Sequence, residues 1–380
     1  MLKLKSDKII TPKGLEKGYL YAENGKITAV TDKDLPCDNF YDLTGLYISP
    51  GFIDLHTHGA GGYDFINSSP KAVSAGCLFH ATHGTTSLLP TVSAAPISVM
   101  EEAVAHIVSA KETGNTGCNI IGAHLEGPYL STTQCGAQRP DFITPPKKED
   151  YLPLLQKYGK YIARWSYAPE NDDGSFCRTL REYGVLPSAG HTDATYSDML
   201  RAAEEGCGLV THLYSCTSTI TRNKGFRSLG VIESAYLLDD MFVEIIADGR
   251  HLPKELVQMI VKIKGRERVA LITDSLAIAG TDVTEGITGG TAFIVEDGVC
   301  KLQDRSAFAG SIATADKLLA FMVREAGFSV SDAVYMFTQT PAKILGINKG
   351  ALAAGLDADI TVFDDDFNIK SVFVAGDKVV

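Results

Sequence analysis

Asp54-Leu-His56-Thr-His58 stands where the apolar run Gly51-Phe-Ile-Asp-Leu gives way to polar residues. Residues i and i+2 of a strand point to one face, so both imidazoles enter the same space at the strand's C-terminal end and could form one side of a metal site. Two histidines hydrogen-bonded at a strand end would read the same, so the pair alone decides nothing. Further polar residues fall where later apolar runs stop: His124-Leu-Glu126-Gly-Pro, Ala189-Gly-His191-Thr-Asp193, Thr211-His212-Leu-Tyr, Ala247-Asp248-Gly-Arg-His251 and Thr273-Asp274-Ser. Imidazoles together with carboxylates suit Zn²⁺, with Fe²⁺ or Mn²⁺ as alternatives, and an open coordination position would make such a site catalytic rather than structural. His80, His83 and His106 lie in or beside helical stretches and read as structural or solvent-facing. His124 shares a side of its strand with Glu126 and reads equally as a ligand or as a support for one.

These residues need a scaffold that brings distant strand ends together. Eight short apolar runs begin near Gly51, Thr85, Asn119, Ala163, Val185, Gly208, Phe242 and Val269. Helical-period stretches such as Pro96 to Glu112, Tyr196 to Glu205 and Pro253 to Ile263 alternate with them. That alternation fits an α/β (β/α)8 TIM barrel better than a doubly wound sheet, and such barrels build their sites from the C-terminal strand ends. Outside this region the texture is β. Tyr19-Leu-Tyr-Ala-Glu and Lys26-Ile-Thr-Ala-Val flank Asn24-Gly25, a two-residue hairpin turn, and Ala358-Asp-Ile-Thr-Val-Phe and Ser371-Val-Phe-Val-Ala-Gly return to strand. We therefore expect residues 51–346 to form the barrel and residues 1–50 and 347–380 to pair into one small discontinuous β domain.

Composition narrows the partners. The 380 residues carry 35 Lys+Arg against 46 Asp+Glu, a formal charge of −11, which disfavours nucleic acid and anionic membrane surfaces. No apolar run is long enough to span a bilayer, and lysines interrupt the N-terminal apolar residues, unlike a signal peptide. The eight cysteines show no paired CxxC spacing, and a cytoplasmic protein without disulfides is expected.

The ordered set Pro50-Gly-Phe-Ile-Asp-Leu-His-Thr-His-Gly, His124-Leu-Glu-Gly-Pro, Gly190-His-Thr-Asp-Ala, Thr211-His-Leu-Tyr, Ile246-Ala-Asp-Gly-Arg-His, Thr273-Asp-Ser and Ala309-Gly-Ser resembles the amidohydrolase superfamily. Within it, the set is similar to the N-acetylglucosamine-6-phosphate deacetylase family, across essentially the whole chain. The resemblance implies a metal-dependent barrel carrying a small β-sandwich domain made by both termini, and deacetylation of N-acetyl-D-glucosamine 6-phosphate. By the same resemblance, Glu126, His191 and His212 match the principal metal ligands, and His56 and His58 match a pair that in some members helps hold a second ion. Asp274 matches the catalytic carboxylate, placed at the metal. Ala137, Gln138, Ser215, Cys216, Arg227, Asp248, His251, Phe308, Ala309 and Gly310 match substrate-contacting positions, with Arg227 reaching into the neighbouring subunit of a homodimer.

Two departures bear on the substrate. The family usually continues Thr-His-Leu-Tyr with Asn-Ala, where this chain has Ser215-Cys216, and the following loop, 217–226, is longer than usual. Arg222, Lys224 and Arg227 could make a local cationic pocket for a phosphate within the acidic surface, or the loop could mark a different N-acylated substrate. The alternatives are therefore an amidohydrolase acting on N-acetylgalactosamine 6-phosphate or an unphosphorylated N-acyl amine, and a non-catalytic sugar-phosphate binding barrel.

Overall fold

The computed structural model describes residues 1–114, 116–288 and 291–380. Its centre is a parallel eight-stranded barrel whose strands run Phe52–Thr57, Thr85–Val92, Ala123–Glu126, Ile162–Tyr167, Leu186–Ala189, Leu209–Val210, Phe242–Ile245 and Val269–Leu271, each paired in parallel with the next. All six residues of the first strand and all eight of the second are buried. Strands covered by helices outside and by side chains inside read as continuous apolar runs for this reason.

The last strand meets the first through single hydrogen bonds rather than a regular ladder. Asp274 N–H donates to the His56 carbonyl at 2.8 Å, and His58 N–H donates to the Ser275 carbonyl at 2.8 Å. Asp54 reinforces the seam by accepting from the Thr273 hydroxyl and, at 3.2 Å, from its N–H. Outside the barrel, the helix Ile97–Thr113 buries Met100, Ala103, Val104, Ile107 and Ala110, a 3-4 spacing that lays one stripe on the strands. It ends at Gly114, which takes a φ of +74° that a side chain would resist.

The two ends of the chain join one hydrogen-bonded sheet of eight strands. Leu2–Thr11, Gly14–Glu23, Lys26–Thr31, Asn39–Asp42 and Tyr47–Pro50 meet Ile360–Phe363, Ile369–Val374 and Asp377–Lys378 through the antiparallel pairing of Tyr47–Pro50 with Ile360–Phe363. Leu4, Leu20, Ile48, Ile360, Val362 and Phe373 form its separate core. The Asn24-Gly25 hairpin is present between Gly14–Glu23 and Lys26–Thr31.

One element was not anticipated. Between the last barrel strand and the helix Ala315–Arg324, the strands Glu285–Thr288, Thr291–Glu296, Val299–Leu302 and Phe308–Gly310 form an antiparallel sheet. Its signal was present as an alternating run interrupted by Asp297-Gly298, a hairpin dipeptide. Among the described residues, no helix is long and apolar enough to cross a membrane.

Candidate active site

The strand-end side chains converge. Glu126 Oε1 lies 3.3 Å from His56 Nε2, 3.3 Å from His191 Nε2 and 3.1 Å from His212 Nε2, while Glu126 Oε2 lies 3.2 Å from His58 Nε2. Asp274 Oδ1 joins them at 3.4 Å from His56 Nε2 and 3.3 Å from His58 Nε2. All of these residues are buried. Among the described residues, two groupings have ligand atoms within 4.8 Å of one another: His56, His58 and Glu126, and Glu126, His191 and His212.

The far nitrogen of each ring sets its orientation. His191 Nδ1 donates to the Gln134 carbonyl at 2.9 Å and His212 Nδ1 to the Ser215 carbonyl at 3.1 Å, while His58 Nδ1 shares a hydrogen bond with Ser93 Oγ at 2.9 Å. Anchored there, all three turn Nε2 toward Glu126, which is how protein-held metal ligands are presented. Ser215 thus acts on a ligand through its carbonyl, besides lining the cavity. The donor set and its packing fit a divalent ion.

The electrostatics agree. Burial opposes charge on His56, but Asp274 and Glu126 override it and push the imidazole up to about 9. His58 is pushed up to about 10 against the same burial by hydrogen bonds to Asp274 and Glu126. Asp274 is drawn down to about 2, with burial working the other way, by the charges of His56 and His58. A pocket that binds protons this firmly favours positive charge, which is what a divalent ion brings.

The backbone is shaped for these side chains. His191, His212 and Asp274 take φ values of +47°, +30° and +46°, a region that costs non-glycine residues about 1–3 kcal/mol each and is retained where surroundings impose it. Asp274 is held on both sides, its N–H by the His56 carbonyl at 2.8 Å and its carbonyl by the Ser311 N–H at 3.0 Å. Gly190 has no room for a side chain, since a Cβ would sit 2.7 Å from Thr211 Cβ.

Beneath the cluster lies a charged pair that sequence reasoning missed. Arg164 is bidentate with Glu244, and Arg164 Nη2 reaches Glu244 Oε2 at 2.8 Å; both side chains are fully buried. Arg164 also donates to the Leu55 carbonyl at 3.2 Å, Ser188 Oγ at 3.2 Å and Thr211 Oγ1 at 2.8 Å. It therefore ties together four strands and the residue that follows a fifth, with Leu55 and Thr211 adjacent to His56 and His212. The available signal was a charge inside each of two otherwise apolar strands, Ile162–Tyr167 and Phe242–Ile245, because an unpaired charge there would be prohibitive. His124 belongs to this layer: its nitrogens meet Thr91 Oγ1 at 3.1 Å and Ser166 Oγ at 2.8 Å, and its ring packs edge-on against His56. His80 pairs with Thr57 Oγ1 at 2.8 Å, and His83 with Asp316 at 3.1 Å.

A cavity of about 310 Å³ opens over the cluster, lined by Glu126, His191, His212 and Asp274 together with Ala137, Gln138, Ser215, Cys216, His251, Phe308, Ala309 and Gly310. Phe308 to Gly310 reach it from the last strand of the unanticipated sheet, and Phe308 packs at 5.0 Å against the His251 ring. Gln138 Nε2 donates to Glu126 Oε2 at 2.6 Å, and its Oε1 accepts the Ala94 N–H at 3.0 Å.

Asp248 stands behind the cavity wall rather than in it, and its carboxylate accepts from His251 Nδ1 at 2.8 Å and from the His251 N–H at 2.8 Å. Burial opposes its charge, but those bonds hold it below the usual carboxylate range. Arg222, Lys224 and Arg227 are not among the residues that line the cavity over this chain's own cluster. They lie on an exposed hairpin, Thr221–Asn223 with Phe226–Ser228, whose two-residue turn at Lys224-Gly225 carries them outward.

An amidohydrolase family model matches residues 47–379. The N-acetylglucosamine-6-phosphate deacetylase of Lysinibacillus sphaericus is 30% identical over 88% of this chain and 85% of its own length. The N-acetylgalactosamine-6-phosphate deacetylase of Shewanella sp. (strain ANA-3) is also 30% identical, over 95% and 89%. Among solved structures, a mutant of N-acetyl-D-glucosamine-6-phosphate deacetylase from Mycobacterium smegmatis in complex with N-acetyl-D-glucosamine-6-phosphate superimposes with a TM-score of 0.93 at 29% identity, covering 100% of this chain and 99% of that one. With a family match over nearly its whole length and a fold and strand-end cluster in keeping, the chain belongs to the amidohydrolase family.

Proposed function

We propose that the chain hydrolyses N-acetyl-D-glucosamine 6-phosphate to D-glucosamine 6-phosphate and acetate, with residues 51–346 as the catalytic unit and the terminal sheet as its support. The observation that carries the reading is Asp274, a buried carboxylate 3.3 Å from His58 Nε2 that opens onto the cavity faced by Glu126, His191 and His212. Binding alone would give no reason for a carboxylate so placed. Glu126, His191 and His212 would hold one ion, and His56, His58 and Glu126 a second, with Zn²⁺ best suited to the donors and Fe²⁺ or Mn²⁺ as alternatives. When bound, the ion supplies Lewis acidity, acidifying water and polarising the acetamide carbonyl.

The chain's own groups move the protons. Asp274 accepts a proton from the attacking water and returns it to the nitrogen, because an amine leaves poorly unless protonated. His251, held at Nδ1 by Asp248, turns Nε2 to the cavity and donates there to the carbonyl oxygen as negative charge develops. Gln138 is engaged with Glu126, which supports His251 over Gln138 for that role. Ala137, Ser215, Cys216 and Phe308 to Gly310 enclose the sugar.

For the phosphate we infer a homodimer in which Arg227 of the partner subunit supplies the planar fork of donors that suits an anion. The exposure of Arg227 and the 80% exposure of neighbouring Phe226 support an interface at that hairpin. The eight free cysteines suit a reducing cytoplasm.

Purified, metal-loaded protein should release acetate from N-acetylglucosamine 6-phosphate, and release no greater than that of a Glu126→Ala control would defeat the proposal. The Shewanella relative favours N-acetylgalactosamine 6-phosphate as a second reading. A panel of both phosphorylated sugars and unphosphorylated N-acetylglucosamine, compared by kcat/KM, decides between them.

A further inference from the structure

A second cavity, of about 330 Å³, adjoins the one over the cluster, and His58, Ala137, Gln138 and Ala309 line both. It is therefore as large as the chamber that would hold the sugar phosphate, far larger than a methyl group needs. Ile66, Ala95, Val99, Phe142 and Leu276 supply an apolar part of its lining, beside the polar Asp64, Asn67, Ser93 and Arg139, and the function proposed above makes no use of it.

The geometry of an amide says what belongs there. The peptide-like C–N bond is planar and trans, so its two carbon substituents point in opposite directions about 3.8 Å apart. The scissile amide must sit at the cluster, whose His58 and Gln138 form the wall shared by the two chambers. A sugar on the His251 and Phe308 side then directs the acyl carbon toward the Val99 and Leu276 side. We propose that this second cavity is an acyl-chain site, and that the enzyme removes N-acyl groups one or two carbons longer than acetyl from the same amino-sugar phosphate. The inference rests on the deacylase reading. The reaction balances as before: the water oxygen joins the acyl carbon, the C–N bond breaks, and the products are a short-chain carboxylate and the amine.

The test compares N-acetyl-, N-propanoyl- and N-butanoyl-glucosamine 6-phosphate by release of free amine, using wild-type, Val99→Trp and Ala95→Leu proteins loaded with the same metal. Val99 is only partly buried on the cavity wall, so its replacement fills the space from the outer side. The wild type should keep kcat/KM for butanoyl within about tenfold of acetyl, and each filled variant should lose at least about tenfold on butanoyl while leaving acetyl unchanged. A wild-type loss above about a hundredfold on butanoyl, or equal losses on both substrates in both variants, overturns the acyl site. Failure of metal-loaded wild type on every substrate, acetyl included, refutes the deacylase reading instead.

Discussion

Replacing Arg164 by methionine tests whether the buried ion pair is the floor that holds the ligand-bearing strands. The change leaves the Glu244 carboxylate fully buried without its cation. The hydroxyls freed by the loss of Arg164 keep partners, since Ser166 Oγ lies 2.9 Å from both Ser188 Oγ and Thr211 Oγ1. The damage is therefore concentrated on Glu244, and removing one partner of a buried pair costs about 3–5 kcal/mol. Replacing both residues by apolar ones of similar size is often neutral, so Arg164→Met/Glu244→Leu should recover most of that loss. Urea unfolding at fixed excess metal, which holds the binding contribution constant, measures all four proteins of the cycle. Metal affinity should fall in Arg164→Met as well, because Arg164 binds the residues adjacent to His56 and His212. A single-variant cost below about 1 kcal/mol, or a double variant equal to the sum of the singles, would refute the reasoning.

Asp274→Asn should retain metal, measured by elemental analysis, and lose about 10²–10⁴ in kcat; turnover at the wild-type rate would remove Asp274 from the proton-transfer role. Without metal, His56 and His58 carry protons up to about pH 9 and 10. Their folded-state values are raised, so the stability they contribute to the metal-free protein is complete below their ordinary value and fades as pH rises through that window. Metal must displace those protons, so its affinity should increase from pH 7 toward 9, with net proton release at pH 7 in calorimetry across buffers; a pH-independent affinity would contradict the assigned ligands. Asp248→Asn should lower kcat through His251 with little change in metal content, and His251→Asn should add little to it in the double variant. Arg227→Ala should raise KM for phosphorylated sugars only, and an equal rise for the unphosphorylated sugar would dismiss its phosphate role.

Much of the barrel was legible because its strands are buried on both faces and leave unbroken apolar runs, such as Phe52–Thr57 and Thr85–Val92. The polar residues at their ends stood out against that background. The antiparallel sheet before Phe308 was harder to read because its strands are partly exposed, so their alternation is diluted. Asp248, which the resemblance matches to a substrate-contacting position, braces His251 through its carboxylate, a relation that sequence alone does not carry.

By itself, the sequence determined the barrel architecture, the amidohydrolase resemblance and the residue types at each strand end, since these follow from hydrophobic runs and local chemistry. Only the tertiary structure decided how they act together. Closing the barrel brings Glu126 within 3.4 Å of imidazoles that lie on three different strand ends and turns His251 on Asp248. It also sets Arg164 against Glu244, eighty positions away in the chain, and divides the space over the cluster into two chambers. These are relations between segments distant in sequence, fixed by how strands pair and pack around a common axis, and no local pattern carries that information.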